Sequence, residues 1–431
     1  MGINYTFCSF HGRIISGDYT RSEEITMLVP FINRLLHWFV TGVSTTVLAL
    51  MMLSKGCTID TLGLVMAIAS LFIVVFEFPS GILSDMVGQK KIYLFSLVVS
   101  IAGYAVILMT NSVFGLIVGF SFYGIARAFS SGSVEALFIN NYIRVEGKEN
   151  LHKLISWMNS GEIIGLATGA LLGGFLPTIW AGIFPAKNKY NGNLIMQIFI
   201  LGVLLVFTLV SVKESKNGEK EKQTLGDHVR ESTRLILNNR SILLLVIGTM
   251  VWGFCFNAIE VFWQPNVKGI LGSDSQTWIF GLINSGYFLA SLVGLGIINL
   301  LLRLRKVSQN LILVISRMIV GILIIALATQ KNIVSFTGIY LVLFMINGMM
   351  NIPESTMINS LLPDDKRSSL LSFSSLMLQL GGIIGSVLFS RLVTTLQISG
   401  VWMIAGIVFG ISSLLYVSIE KPAQYRGRGQ T

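Results

Sequence analysis

The chain has 431 residues, of which 53% are hydrophobic and only 12% charged. Soluble domains are about 25% charged, so this composition excludes a soluble globular fold. It points to an all-α integral membrane protein, because the apolar runs last about 20 residues rather than alternating over ten. The net charge of +10 reads as basic loops on one side of a membrane and not as a nucleic-acid surface.

Cys8, Cys57 and Cys255 are scattered and odd in number, and the histidines His11, His37, His152 and His228 are equally dispersed, so neither a disulfide frame nor a metal site follows. No GxxxxGK[ST] loop and no nucleophile–base set is present. The expectation is a protein that is not an enzyme and has no cofactor or metal. Residues 1–26 are polar and lack the apolar core of a signal peptide. Met1-Gly2-Ile3-Asn4-Tyr5-Thr6 fits a myristoylation pattern, but a multi-span protein needs no acyl anchor. Met27, just before the first span, could be an alternative start.

Twelve apolar spans follow in chain order: 28–53, 61–84, 91–110, 112–139, 153–176, 193–212, 241–264, 277–302, 310–329, 333–362, 367–391 and 399–419. With the N-terminus inside, only Lys55, Lys187, Lys189, Lys268 and Lys331 fall on outer loops, although the chain holds 31 lysines and arginines. Such a bias places both termini in the cytoplasm of a multi-pass cell-membrane protein. The tails are then residues 1–27 and 421–431. A charged linker, 213–240, separates a six-helix half (28–212) from a second (241–420). The halves resemble each other: Glu135 with Ile139-Asn140 matches Glu354 with Ile358-Asn359, Gly161 with Ile163-Ile164-Gly165 matches Gly381 with Ile383-Ile384-Gly385, and Gly63-Leu64 matches Gly281-Leu282. The offset stays near about 219 positions, which argues for two parallel six-helix repeats around a central cavity.

Spans one, four, seven and ten carry polar stripes at helical spacing. They hold Arg34, His37, Trp38, Thr41 and Ser44; Tyr123, Arg127, Ser131 and Glu135; Trp252, Phe256, Asn257, Glu260, Trp263 and Gln264; and Asn347, Asn351 and Glu354. Polar groups at this depth face protein or water, so these helices are expected to line a substrate cavity. Phe120, Phe254, Phe344, Met345 and Met349 extend its apolar wall, or else simply pack. Spans two, five, eight and eleven are rich in small residues, and Gly161, Gly165, Gly169 and Gly173 form a flat face on span five. Spans three, six and twelve read as lipid-facing supports, while span nine carries Arg317. Depth along the helices pairs Arg34 with Glu77, Arg127 with Glu162 and Arg317 with Glu354, at about 1.5 Å per residue. These are either structural ion pairs or a proton-coupling set, with Glu162 and Glu135 as proton carriers and Arg127 as their switch partner. Five acids, Glu77, Glu135, Glu162, Glu260 and Glu354, against Arg34, Arg127, Arg317 and Arg391 lean toward cationic or neutral cargo.

Between spans two and three lies Gly81-Ile82-Leu83-Ser84-Asp85-Met86-Val87-Gly88-Gln89-Lys90-Lys91. Gly81, Leu83, Asp85, Gly88 and Lys90 match the hairpin signature of the major facilitator superfamily, which the chain resembles over about residues 28–420. Met86 and Gln89 stand where that signature has basic residues. Span five, Gly165-Leu-Ala-Thr-Gly169-Ala170-Leu-Leu-Gly173-Gly174, is similar to the glycine signature of the drug–proton antiporter branch, with Ala170 in place of proline. The second-half hairpin near Arg303-Leu-Arg305-Lys306 lacks the aspartate and glycines. The resemblance implies alternating access and a cytoplasmic latch made by Gly81, Asp85, Gly88, Lys90 and Lys91, with Lys90 or Lys91 facing Glu135. It also implies export of small lipophilic molecules by proton antiport, from a chain that works as a monomer in the lipid bilayer. The alternatives are a proton-coupled importer of a sugar, amino acid or peptide, and a membrane receptor or assembly partner that no longer transports.

Overall fold

The computed structural model describes residues 21–131, 133–147, 151–213, 239–304, 308–361 and 367–419. The expected tails and linker, and the second-half hairpin beyond Leu304, fall largely outside them. The helices are α1 (Arg21–Ser54), α2 (Leu62–Val87), α3 (Gln89–Met109), α4 (Val113–Ser131), α5 (Val134–Glu146), α6 (Leu151–Ile183), α7 (Asn191–Ser211), α8 (Arg240–Leu271), α9 (Thr277–Leu304), α10 (Gln309–Ala328), α11 (Ile333–Leu361), α12 (Arg367–Ile411) and α13 (Leu414–Val417). Among the described residues there is no strand. Ten of these stretches are long and apolar enough to cross a membrane; one of them, Phe373–Val417, holds two spans joined at a break, and Leu62–Glu77 adds a shorter apolar helix. The break falls at Gln397, whose φ of 58° is that of a sharp corner. The twelve spans are therefore all present.

Two differences from the expected spans have local causes. The fourth span, Val113–Arg144, carries two helices, α4 and α5, with a turn at Ser133 between them. The hydroxyls of Ser130, Ser131 and Ser133 bond back to the carbonyls of Arg127, Ala128 and Phe129 at 3.0, 3.1 and 2.7 Å, an arrangement that competes with the helical ladder and bends it. The turn between α2 and α3 needs a glycine: Gly88 has φ 114°, caps α2 through its N–H to Ser84 O, and begins α3.

The tightest packing follows the glycine face. A Cβ at Gly161, Gly165, Gly169 or Gly173 of α6 would land on the backbone of α1 at Phe31, Leu35, Phe39 and Val43, advancing four residues per step on both helices. The second half repeats this: Gly381 and Gly385 of α12 lie against Met250 and Phe254 of α8. Backbones approach this closely because one helix of each pair has no side chain at the contact. The halves meet through α6 with α9 and through α2 with α12. Both crossings are pinned at the face opposite the Gly88 hairpin, by Gly174 against Gly281 and by Gly63 against Ser386 and Ser390. Toward the hairpin face the halves part. Gly81 has nothing within 4 Å of where a Cβ would stand, and Met86 is 70% exposed.

This packing yields a test. Gly169→Val should clash with the Phe39 backbone and cost about 1–3 kcal/mol or more, seen as a lower melting midpoint of the purified protein. Gly202→Val on α7, where nothing lies within 4 Å, should leave the midpoint unchanged. Equal behaviour of the two variants would refute the α1–α6 register.

Candidate functional site

The first-half site is built on α1 and its contact with α6. Because Gly161 and Gly165 sit on Phe31 and Leu35, Glu162 comes beside Arg34, and the two form an ion pair at 2.6 Å. Arg34 and Arg127 both stack on Trp38, at 5.5 and 5.3 Å from the ring centroid. The Arg34 Nε and Trp38 Nε1 protons have no partner among the described residues. Glu77, half-buried, is under the influence of Arg127, and Glu135 acts on Glu162 from an exposed position in the first turn of α5. The pairing by depth is corrected for Arg34, which holds Glu162; the charge of Arg127 acts on both Glu77 and Glu162. Tyr123 packs on Tyr104 and Phe120, and Thr41 is half-buried.

Behind Arg34 runs a buried polar chain across helices expected to be plain supports. The Tyr93 hydroxyl on α3 donates to Asn33 Oδ1 at 3.0 Å, and Asn33 Nδ2 donates to Thr208 Oγ1 on α7 at 3.0 Å. His37 Nδ1 lies 3.2 Å from the same hydroxyl. Tyr93 has one proton and gives it to Asn33, so His37 donates from Nδ1. The signal in the sequence was Asn33 and Tyr93 themselves, polar residues inside apolar runs.

In the second half Arg317 is fully buried. It donates to Ser412 Oγ and Gly248 O at 3.0 Å each, pairs with Glu354 at 3.5 Å, and lies on the rings of Phe409 and Tyr416. Tyr416 donates to Glu354 Oε1 at 3.0 Å. This expected pair does form, and it ties α8, α10, α11 and α13 together. Trp252 Nε1 donates to Asn347 Oδ1 at 2.8 Å, and Ser386 Oγ to Asn257 Oδ1 at 2.8 Å. Phe256 and Trp263, expected to line the cavity, are 1% and 4% exposed and pack against neighbouring rings. Phe120 and Phe344 are buried likewise. Glu260 and Asn351 are exposed.

The face opposite the hairpin is sealed. Helix α1 breaks at Val47, and Gln264 of α8 fills the break from the other half. Its Oε1 accepts from Ala49 N at 2.8 Å and Leu50 N at 3.4 Å, and its Nε2 donates to Thr45 O at 2.7 Å. Asn284 Nδ2 donates to Thr45 Oγ1 and Thr46 Oγ1 at 3.1 and 3.0 Å. Thr46 Oγ1 reaches Ala170 O at 3.1 Å. Above this, Asp274 pairs with Lys189 at 2.8 Å and with Lys268 at 3.4 Å, and accepts from Tyr190 at 2.9 Å. Partial burial pushes the Asp274 carboxyl up, but the bonds from Lys189 and Tyr190 and the two lysine charges hold it below the ordinary range. Among the outer lysines, Lys55 is buried and donates to Leu108 O and Thr110 O at 3.1 Å each, closing the end of α3.

At the hairpin, Lys90 does not reach Glu135. It donates to Leu209 O near the end of α7 at 2.9 Å, where a helix C-terminus favours a cation. Gln89 accepts from Asn140 Nδ2 at 3.3 Å, and Lys91 is exposed. The Asp85 side chain lies outside the described residues. On α6, Gly165, Gly169 and Gly173 serve α1, whereas Gly174 meets Gly281 of the other half.

The sequence profile of the Major Facilitator Superfamily matches residues 31–367. An uncharacterized MFS-type transporter, YxaM, of Bacillus subtilis is 23% identical over 396 residues, covering 90% of this chain and 94% of its own. An uncharacterized transporter of Buchnera aphidicola is 26% identical over 372 residues, covering 81% and 85%. Among solved structures, the nucleoside transporter NupG superimposes with TM-score 0.75 at 14% identity, covering 91% of this chain and 98% of its own. A bacterial homolog of the human lysosomal transporter Spinster, inward-facing and occupied, superimposes with TM-score 0.76 at 11% identity, covering 94% and 98%. At these identities the likeness to the solved structures is one of fold.

The seal makes a prediction of its own. Gln264→Leu leaves the broken α1 ladder unsatisfied, at a cost of about 1–3 kcal/mol per buried group. Hydrogen–deuterium exchange over residues 45–53 should then accelerate by roughly tenfold or more. Unchanged exchange would show that Gln264 does not hold the break.

Proposed function

The chain belongs to the major facilitator superfamily, and from that premise we propose that it is a secondary active transporter that exports small lipophilic, cationic molecules by proton antiport. The observation that carries this reading is the Arg34–Glu162 ion pair at 2.6 Å, set between a face where the halves are bonded together and a face where they part. A carboxylate held by an arginine stays ionised; released into apolar surroundings, it takes up a proton. Arg127, stacked on the same Trp38 as Arg34, is the second cation that can shift the balance when cargo enters, and Glu135, whose charge acts on Glu162, is the second carboxylate of the proposed path. The loops on the parted face hold most of the lysines and arginines, so that face is cytoplasmic. The conformation described is then inward-facing and loads from the cytoplasm, as an exporter must. The Gly173-Gly174 end of the span-five signature lies against the sealed crossing, which suits a role in switching. On this reading the protein is a monomer in the cell membrane with both termini in the cytoplasm, and residues 213–240 link its two halves.

Reconstitution into vesicles with an imposed pH gradient tests the reading. Fluorescent organic cations should move opposite to protons, and Glu162→Gln and Glu135→Gln should each lose substrate-driven proton movement. Normal exchange in both variants removes them from the proton path. Movement together with protons would mean an importer, and no movement of any compound by folded protein would mean a receptor.

The hairpin carries a separate expectation. In the outward-open state Asp85 latches the cytoplasmic face by meeting the N-terminal end of α12, so Asp85→Asn should lower the transport rate several-fold while membrane insertion stays intact. An unaltered rate would reduce the hairpin to a topological turn.

A further inference from the structure

Helix α1 breaks where its sequence invites a break. The hydroxyls of Thr45 and Thr46 bond back to Gly42 O at 3.3 and 3.0 Å, which loosens the ladder ahead of the β-branched Val47. In an unbroken α-helix the Ala49 N–H would bond to Thr45 O, four residues back, and the Leu50 N–H to Thr46 O. Gln264 stands inside the first of these bonds. Its Oε1 accepts from Ala49 N and Leu50 N at 2.8 and 3.4 Å, and its Nε2 donates to Thr45 O at 2.7 Å. The side-chain amide thus copies one peptide unit, with an acceptor for the orphaned N–H and a donor for the orphaned carbonyl.

A second gap in the same half shows what sets this one apart. Pro177 in α6 has no N–H to give Gly173 O, and Asn193 Nδ2 donates to that carbonyl at 2.7 Å. Asn193 belongs to α7, so this repair lies within one half and moves with it. Gln264 belongs to the other half. It lies 219 residues from Thr45, the offset between the repeats, and equivalent positions of two repeats meet only near the axis that relates them. The repaired gap in α1 therefore sits at the centre of the sealed face, where the halves must part for that face to open.

We propose that Gln264 is a backbone switch. With the outer face shut, its amide bridges the gap in α1. When the halves part, the amide withdraws into water, the Ala49 N–H closes on Thr45 O, and α1 becomes continuous. The two groups that separation sets free are each other's partners in a regular helix, so neither state leaves them unpaired. A seal without this exchange would strand a donor and an acceptor at each opening, at a depth where such groups are costly. The outer end of α1 passes the change on. Ser54 Oγ accepts from Asn188 Nδ2 at 2.9 Å, and the same α6–α7 turn holds Asp274 through Lys189 and Tyr190. Straightening of α1 thereby moves the turn that carries the other outer fastening. The switch rests on the alternating access of the export reading, but on neither its cargo nor its proton.

Spin labels on Thr58→Cys and Ser275→Cys, exposed positions on outer turns of opposite halves, read the opening in the purified full chain after its three native cysteines are changed to alanine. Gln264→Leu leaves the gap of the shut state unfilled and should raise the long-distance fraction severalfold. Ala49→Pro discriminates. A proline at 49 fits a break but collides with Thr45 O in a continuous helix, so it should lower that fraction severalfold, alone and on top of Gln264→Leu. A simple seal predicts the reverse for Ala49→Pro alone, because one bond to Gln264 is lost. A fraction unchanged in Gln264→Leu, or not lowered by Ala49→Pro, overturns the switch. If Ala49→Pro does not fold, lactic acid at position 49, which deletes the N–H alone, decides: an unchanged or lowered fraction is expected, and a raised one overturns the switch. The measurement uses no cargo and no proton gradient, so the switch can stand while vesicle transport fails, and antiport can operate while both variants behave as a simple seal.

Discussion

Inside a bilayer no water reaches the backbone, so every interruption of a helix must find its hydrogen bonds within the protein. The rest of the structure hangs on how this is met at Val47. Helix α1 breaks there, and the amides and carbonyl set free are taken up by a side chain from the other half of the molecule. A defect in one half is thereby made into a bond between halves. The seal is strongest where the covalent chain is locally weakest, and separating the halves at that level exposes three polar contacts at once. Asn284 and the Asp274 cluster add to the same face, but neither repairs a backbone.

Most of the fold was legible because the bilayer sets one length scale. Apolar runs near that length, interrupted by charges of biased sign, mark the spans with little ambiguity. What escaped was lateral order. Depth gives one coordinate only, so Arg34 could be matched with Glu77 as readily as with Glu162. The helices choose differently: α1 packs along α6 and barely touches α2, while α4 packs on α2. The arginine on α1 therefore meets the acid on α6. The glycines held the answer, since Gly161 and Gly165 set a register that carries residue 162 to Arg34. The aromatic cavity wall failed for a related reason. Periodicity says which face of a helix is special, but not whether a ring on it meets water or another ring, and Phe256 and Trp263 meet rings.

The two repeats have kept their packing and divided their chemistry. Both pair their first and fifth spans through glycines at matching positions. In the first half, Glu135 is exposed, and Arg34 and Arg127 share one indole while Arg34 pairs with Glu162 alone. In the second, its counterpart Glu354 is tied to Arg317 and Tyr416, and Arg317 reaches three further partners. One half holds its charge in a single ion pair, and the other ties its charge to several helices.

Gly174 on Gly281 and Gly63 on Ser386 mark two points at the same end of the molecule, one on each crossing between the halves. Two such points define a hinge line lying parallel to the membrane. From Gly63 to the far end of α2 is about 36 Å at 1.5 Å per residue, so a rocking of about 10° swings the hairpin through about 6 Å while the pins scarcely move. Gly174 meets bare backbone and Gly63 meets only serines, so neither point interlocks bulky groups that a rotation would have to free. Were the halves to rock, the glycines at the closed end would be the bearing, and α2 the lever that turns a small rotation there into a passage at the opposite end.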